Sequence, residues 1–176
     1  KKYKGLEYLI RAIPCIYNEI PDIKVIIAGE GEFSEYTEII NRFDESVRSV
    51  LEIHNRFLSD SDVSSLFQRS SLVVLPYSQM TGQSGVINIA FSFGKPIVAS
   101  NVWAFHECLE DGVSGFLVPP KDSEALAKAI IKILKDDDLR VTMGINAFNK
   151  SKELSWDNIA RKHIKLYENV CPSHPN

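Results

Sequence analysis

Metal-ligand spacing is absent from this 176-residue sequence: His54, His106, His163 and His174 stand far apart, with no H-x-x-x-H and no acidic cluster beside them, which argues against a zinc or two-metal centre. Cysteine is scarce. Cys15, Cys108 and Cys171 are odd in number and lack C-x-x-C spacing, so neither a disulfide framework nor a zinc knuckle is indicated, and a reducing, cytoplasmic setting fits. No apolar run approaches the roughly 18 to 20 residues of a membrane span, and no charged-then-apolar signal peptide opens the chain. A basic excess is also missing: the net charge is -3, which speaks against nucleic acid as a partner. No G-x-S-x-G nucleophile elbow occurs, since Gly82-Gln83-Ser84-Gly85 comes near that form without its last spacer. The sequence begins on Lys1 rather than methionine, so a piece of a longer chain, with an N-terminal part missing, is expected.

What is present is the composition of an ordinary globular domain, 44% hydrophobic and 24% charged, long enough to bury a core. Short β-branched runs alternate with amphipathic stretches. The runs IKVIIAG (23–29), SVLEIHN (49–55), LVVLPY (72–77), PIVAS (96–100) and GFLVPP (115–120) read as strands, and several are apolar at nearly every position, as strands covered on both faces require. Between them lie helical patterns at 5–19, 33–43, 60–70, 84–93 and 122–136. Asp60 and Asp122 stand where N-caps belong, and Pro14 marks a kink or early stop in the first helix. Strict alternation predicts an α/β fold, a Rossmann-like doubly wound parallel sheet with helices on both faces. Residues 1–170 read as a single domain. Its last two helices, from Asp136 onward, have no strand between them and either pack on the sheet edge or cross to another domain, and 171–176 read as a frayed tail.

Ligands of such sheets bind beyond the carboxyl ends of the strands, which selects the loops to read. Lys4 precedes Gly5 at a helix start, where its ammonium can reach an anion or simply stand in solvent. Gly29-Glu30-Gly31 ends a strand with half of a dinucleotide fingerprint; it is a tight turn needing positive φ, a close approach for a ligand, or both. Thr81-Gly82-Gln83-Ser84-Gly85 runs from a buried strand into a helix whose opening amides and dipole favour phosphate, with Ser84 as the expected N-cap, although an unliganded capped helix would look the same. Trp103 could form an aromatic wall for a sugar or base or be a buried structural residue. His106 and Glu107 are neighbours on a short helix and so do not face each other as an acid/base pair.

The ordered series KGLEYLI, VIIAGEGE, SLFQRSSLVVLPY, SGVINIAFSFGKPIVAS, HECLEDGVSGFLVPPKDSEALAKAI and SW with a last LYE resembles the C-terminal, nucleotide-sugar-binding half of group 1 retaining glycosyltransferases, the large family four with the GT-B fold. FGKPIVAS followed by EDGVSGFLVPP is the specific part. The resemblance implies that Lys4 grips the donor diphosphate with an arginine five positions earlier, upstream of Lys1 together with the first strand of the sheet. It implies that Gly29 to Gly31 border the donor and that Phe57, Leu58 and Ser59 lie where the base is held. The stretch from Thr81 matches the family's EGFGxxxxE signature, but both acids are missing, their positions holding Thr81 and Ile89. The backbone cradle from Gly82 through Gln83, Ser84 and Gly85 to Val86 does not depend on them. Trp103-Ala104 replaces a usual Gly-Gly, and His106 a common proline, while Glu107 matches the family's acid.

The resemblance therefore implies a UDP- or GDP-sugar donor, no cofactor and no metal, and transfer to a glycan or lipid-linked acceptor held by a missing N-terminal domain. The full-length protein would work in the cytoplasm, with peripheral association at the inner face of a membrane. Alone, this piece is expected to bind nucleotide weakly and catalyse nothing. A non-catalytic nucleotide-sugar-binding or partner-docking domain and a GT-B nucleotide-sugar epimerase are the competing readings.

Overall fold

The computed structural model describes residues 2–79, 82, 84–106 and 108–170. A three-residue 3-10 turn, Lys2–Lys4, leads into α1 (Leu6–Glu19), β1 (Val25–Ala28), α2 (Ser34–Ile40), α3 (Glu45–Arg48) and β2 (Leu51–His54). Then come α4 (Asp60–Arg69), β3 (Val73–Leu75), α5 (Gly85–Ser92), β4 (Ile97–Ser100), α6 (Trp103–His106) and β5 (Gly115–Val118), followed by α7 (Ser123–Lys135), α8 (Asp137–Glu153) and α9 (Trp156–Val170). Every strand expected from sequence is there, trimmed by no more than two residues at either end. The calls on the tail 171–176 lie outside the described residues.

All strand pairs are parallel, β1 with β2, β3 with β4 and β4 with β5. Alternate residues feed two cores, as the two-residue period of a strand dictates. Val73, Leu75, Ile97, Ala99 and Leu117 face a cluster with Phe91 of α5, Phe105 of α6 and Ala147 of α8. Val74, Val98, Phe116 and Val118 face the opposite cluster, built with Leu9 and Ile16 of α1 and Leu126, Ile130 and Ile133 of α7. This is the doubly wound architecture expected from the apolar runs.

An open sheet lacking its first strand was expected, and the hydrogen bonds form two half-sheets, β1–β2 and β3–β4–β5. Among the described residues, the inner rims of β1 and β3 have no strand partner. Helix α1 spans both halves: Leu6 and Leu9 join the cluster that holds Val25 and Val74, and Ile10 packs with Ile27. Unlike the other crossover helices, α1 follows no strand among the described residues.

Two local expectations are corrected. Pro14 does not stop α1, which runs through it to Glu19; burial of Leu9, Ile10, Ala12, Ile13 and Ile16 offsets the backbone bond that proline forfeits. Asp60 is not the N-cap of α4. Ser59 takes that place and forms a capping box with Asp62, each side chain accepting from the other's backbone N–H, which satisfies two donors where an Asp60 cap would satisfy one. Asp122 caps α7 as expected, accepting from Glu124 and Ala125 N–H. Helix α9 has no buried residue, and its Trp156 and Tyr167 are exposed.

The chain's first turn is pressed against the end of β3. Gly5 has φ 61°, and a Cβ there would lie 1.9 Å from Pro76 O, while Ser78 N donates to Tyr3 O at 2.8 Å. Gly5→Ala is expected to lower the midpoint of thermal unfolding, because a left-handed backbone alone costs about 1–2 kcal/mol with a side chain and the clash is with backbone that cannot rotate away. A melting curve by circular dichroism checks this, and an unchanged midpoint would show that the turn can lift off β3.

Candidate functional site

The parallel register sends every loop that follows a strand to one edge, so residues distant in sequence gather there. Gly29 has φ 131°, the positive value expected of the turn after β1, and its N–H donates to His54 O at 3.0 Å. Gly31 N–H donates to Asn55 Oδ1 at 3.0 Å, tying this turn to the loop after β2. A Cβ at either glycine would meet nothing within 4 Å. Both therefore present open backbone.

The loop after β2 is held by charge. Arg56 makes a two-pronged ion pair with Asp62, Nη1 to Oδ2 at 2.8 Å and Nη2 to Oδ1 at 3.0 Å, and also donates to Phe57 O at 3.0 Å. The Arg56 guanidinium, then the backbone and side-chain donors of Ser59, hold the Asp62 carboxyl well below the usual carboxylate range. This clamp sets the path of Phe57, which is 78% exposed, and of the half-buried Leu58.

At the centre of the edge stands Tyr77, just past β3 and only 5% exposed. The Tyr3 ring meets it edge-on with centroids 5.8 Å apart, and Phe105 lies 5.4 Å away on another side. Val86 and Ile87 of α5 pack in the same cluster, and burial pushes the Tyr77 phenol above its ordinary value. Through these contacts the turn carrying Lys4, the start of α5 and the start of α6 converge. Lys4, Gly82 and Gly85 are exposed, Val86 is half-buried, and Ile89 is 37% exposed on α5. Thr81, Gln83 and Glu107 lie outside the described residues.

Ser84 occupies the N-cap position of α5 in extended backbone, φ -101° and ψ 113°, yet its side chain makes no capping bond. The expected cap is thus corrected in substance: Ser84 stands at the position, and its side chain caps no amide. Trp103 is 68% exposed, so the aromatic-wall option stands and the buried alternative does not. His106 is exposed. A cleft of about 570 Å³ opens at the opposite, amino ends of β3 and β4, lined by Lys95, Gly144 and Phe148 among others; it lies away from every loop considered above.

Residues 1–136 match the family model described as "Glycosyl transferases group 1". The chain belongs to that family. Among curated relatives, the phosphatidyl-myo-inositol mannosyltransferase of Mycolicibacterium smegmatis is 30% identical over 172 residues, covering 95% of this chain and 42% of the relative. The D-inositol 3-phosphate glycosyltransferase of Corynebacterium kroppenstedtii is 28% identical over 183 residues, covering 100% of this chain and 40% of that one. The chain thus spans less than half the length of these relatives. In three dimensions it is similar to the Anabaena protein HepE in complex with UDP, with TM-score 0.79, 24% identity, and coverage of 97% of this chain and 46% of that one. It also resembles the C-terminal domain of a group 1 glycosyl transferase from Francisella tularensis, with TM-score 0.76, 22% identity, and coverage of 86% and 80%. The fold is that of the C-terminal, Rossmann-like half of such glycosyltransferases.

Within this group 1 chain, sequence reading singled out Lys4, the glycines and the α5 loop, and those of them among the described residues lie in loops that follow a strand or adjoin a strand end. It missed Tyr77 and the Arg56–Asp62 clamp. The S-x-x-D spacing of Ser59 and Asp62 was a readable signal for a capping box; nothing local distinguished Tyr77 from any strand-end tyrosine. No helix among the described residues is long and apolar enough to cross a membrane.

The clamp has a pH signature. Asp62's folded pKa is lowered, so its contribution is fully present above the ordinary carboxylate pKa of about 3.9 and is lost as pH falls through the depressed folded value. Asp62→Asn is expected to lower the melting midpoint at pH 7, with the gap to wild type narrowing below about pH 4. Added salt should shrink the gap as well, since the pair is exposed. A gap independent of pH would assign the effect to the cap hydrogen bonds alone.

Proposed function

We propose that the chain is the donor-binding half of a retaining glycosyltransferase, taking a UDP- or GDP-sugar at the carboxyl edge of β1, β2 and β3. The observation that carries this reading is the convergence on Tyr77 of the Lys4 turn and the start of α5, whose Ser84 side chain caps no amide. Both features attract anions, the first by charge and the second by opening amides and helix dipole. Lys4, the amides from Gly82 to Val86, and an arginine upstream of Lys1 neutralise the nucleoside diphosphate as it leaves. In the transfer, the bond from the anomeric carbon to the diphosphate breaks, a bond to the acceptor hydroxyl oxygen forms, and the hydroxyl proton departs to a base outside this chain.

Gly29, Gly31 and Leu58 border the nucleoside, and Ile89 and Thr81 stand where the family's acids would touch ribose and sugar. The acceptor, a glycan or lipid-linked hydroxyl, belongs to an N-terminal domain upstream, and any hold on a membrane surface belongs to that full-length protein. The slot between β1 and β3 is the place for an upstream strand: a strand before α1 would complete a right-handed crossover into β1 and give the order β2–β1–new–β3–β4–β5. The absence of both loop acids favours one competing reading, a domain that binds nucleotide sugar without turning it over.

Calorimetric titration of the full-length protein with UDP and GDP tests the proposal. One of the two should bind, and Lys4→Ala should weaken it about tenfold, or about 1.4 kcal/mol. Failure of both to bind at about millimolar concentration, where binding free energy is only about -4 kcal/mol, would sink the donor site. Binding without consumption of any UDP- or GDP-sugar would instead support the non-catalytic reading.

A further inference from the structure

The cleft of about 570 Å³ at the amino ends of β3 and β4 has no part in the donor reading, and its volume is that of a small-molecule site. Two glycines bring its sides together. Gly94, with φ 61°, lies just past α5, and a Cβ on Gly144 of α8 would stand 2.6 Å from Gly94 O, so the two backbones approach closer than a side chain at Gly144 would allow. One wall is apolar. Val141, Ile145 and Phe148 recur at helical spacing along α8 and are 59%, 56% and 44% exposed. The charged side chains that line the cleft are Arg69, Lys95 and Arg140, with no Asp or Glu among them, in a chain whose net charge is -3. Both arginines have counter-charges: Arg69 Nη2 lies 2.9 Å from Glu52 Oε2, and Arg140 Nη2 lies 2.7 Å from Asp137 Oδ1. Lys95 is placed differently. Among the described residues its Nζ donates to Gln68 O at 3.3 Å and is in no ion pair, and burial, uncompensated by a neighbouring charge, lowers its pKa. An ammonium has three donors, so two remain on a half-buried cation that gains from meeting an anion.

We propose that this cleft binds a single anionic amphiphile, its phosphate or carboxylate head on Lys95 and its hydrocarbon along Val141, Ile145 and Phe148. A lone charge beside an apolar wall selects a ligand with both parts; an ion would leave the wall idle, and a hydrocarbon would leave the ammonium without its counter-charge. The occupant is one molecule rather than a bilayer, because Lys95 is half-buried while Val141 and Ile145 stand out from the surface, so a flat membrane would meet the wall before it reached the cation. The site is separate from the donor edge. Helix α5, eight residues and about 12 Å long, lies between the two, with its first residue at the donor edge and its far end at the cleft.

Calorimetric titration of the full-length protein with decyl phosphate, kept below its micelle concentration, tests this, with inorganic phosphate and decanol as head-only and tail-only probes. Decyl phosphate should bind, and each half-probe should bind at least about tenfold more weakly, read directly in Kd. Lys95→Gln should weaken decyl phosphate about tenfold, and Ile145→Gln, a change at an exposed position that the fold tolerates, about fivefold. Neither variant should alter the affinity for UDP or GDP, since neither residue lies at the donor edge. Absence of decyl phosphate binding, or binding that both variants leave unchanged, would overturn the inference. Inorganic phosphate binding as tightly as decyl phosphate would reduce the cleft to an adventitious ion site, and decanol doing so would reduce it to an apolar surface. Binding to phosphatidylglycerol vesicles that needs Lys95, without binding of monomeric decyl phosphate, would overturn the single-molecule site and assign this face to a membrane.

Discussion

Strand β4 is the member on which the rest of the molecule depends. All four of its residues are buried, with a strand hydrogen bonded on each side and a helical layer over each face. A parallel strand in that position must be apolar throughout, since neither face meets water. Its two ends then set the site: α5 delivers the chain into β4 and α6 takes it away at the other end. Phe91 and Phe105, both fully buried, anchor these helices in one cluster with Tyr77. The edge that would meet a ligand is thus braced from beneath by aromatic packing, which tolerates little displacement.

The five apolar runs and the helices between them were legible because strand and helix periods differ and because β-branched residues concentrate in the former. Residue-level misreadings have physical causes. Pro14 could be carried because α1 seals both half-sheets, and tertiary burial outweighs one lost backbone bond. Ser84 looked like a cap because its residue type and position fit a local rule, yet its buried side chain makes no bond to the helix amides. No residue pattern within β1 or β3 announces the division of the sheet between them; the one sign of it was the resemblance, which implies a first strand upstream of Lys1.

The chemistry of the edge differs in kind from one built on side chains. In the proposed donor site, where Thr81 and Ile89 bring no carboxylate, recognition would fall on backbone amides, whose direction is set by helix geometry and whose pKa values never enter the working range. Such a surface cannot be tuned by titration. The exposed indole of Trp103 adds a large flat face near the same edge, on a one-turn helix fixed by the burial of Ala104 and Phe105.

The two half-sheets carry a consequence for edge pairing. Among the described residues, β1–β2 and β3–β4–β5 leave four strand rims without a strand partner, where a single five-stranded sheet would leave two. Each unpaired rim is a template for another backbone, and α1 packs against residues of both β1 and β3. Under the order proposed above, one strand set between β1 and β3 would occupy both inner rims at once and leave only the outer rims of β2 and β5 open.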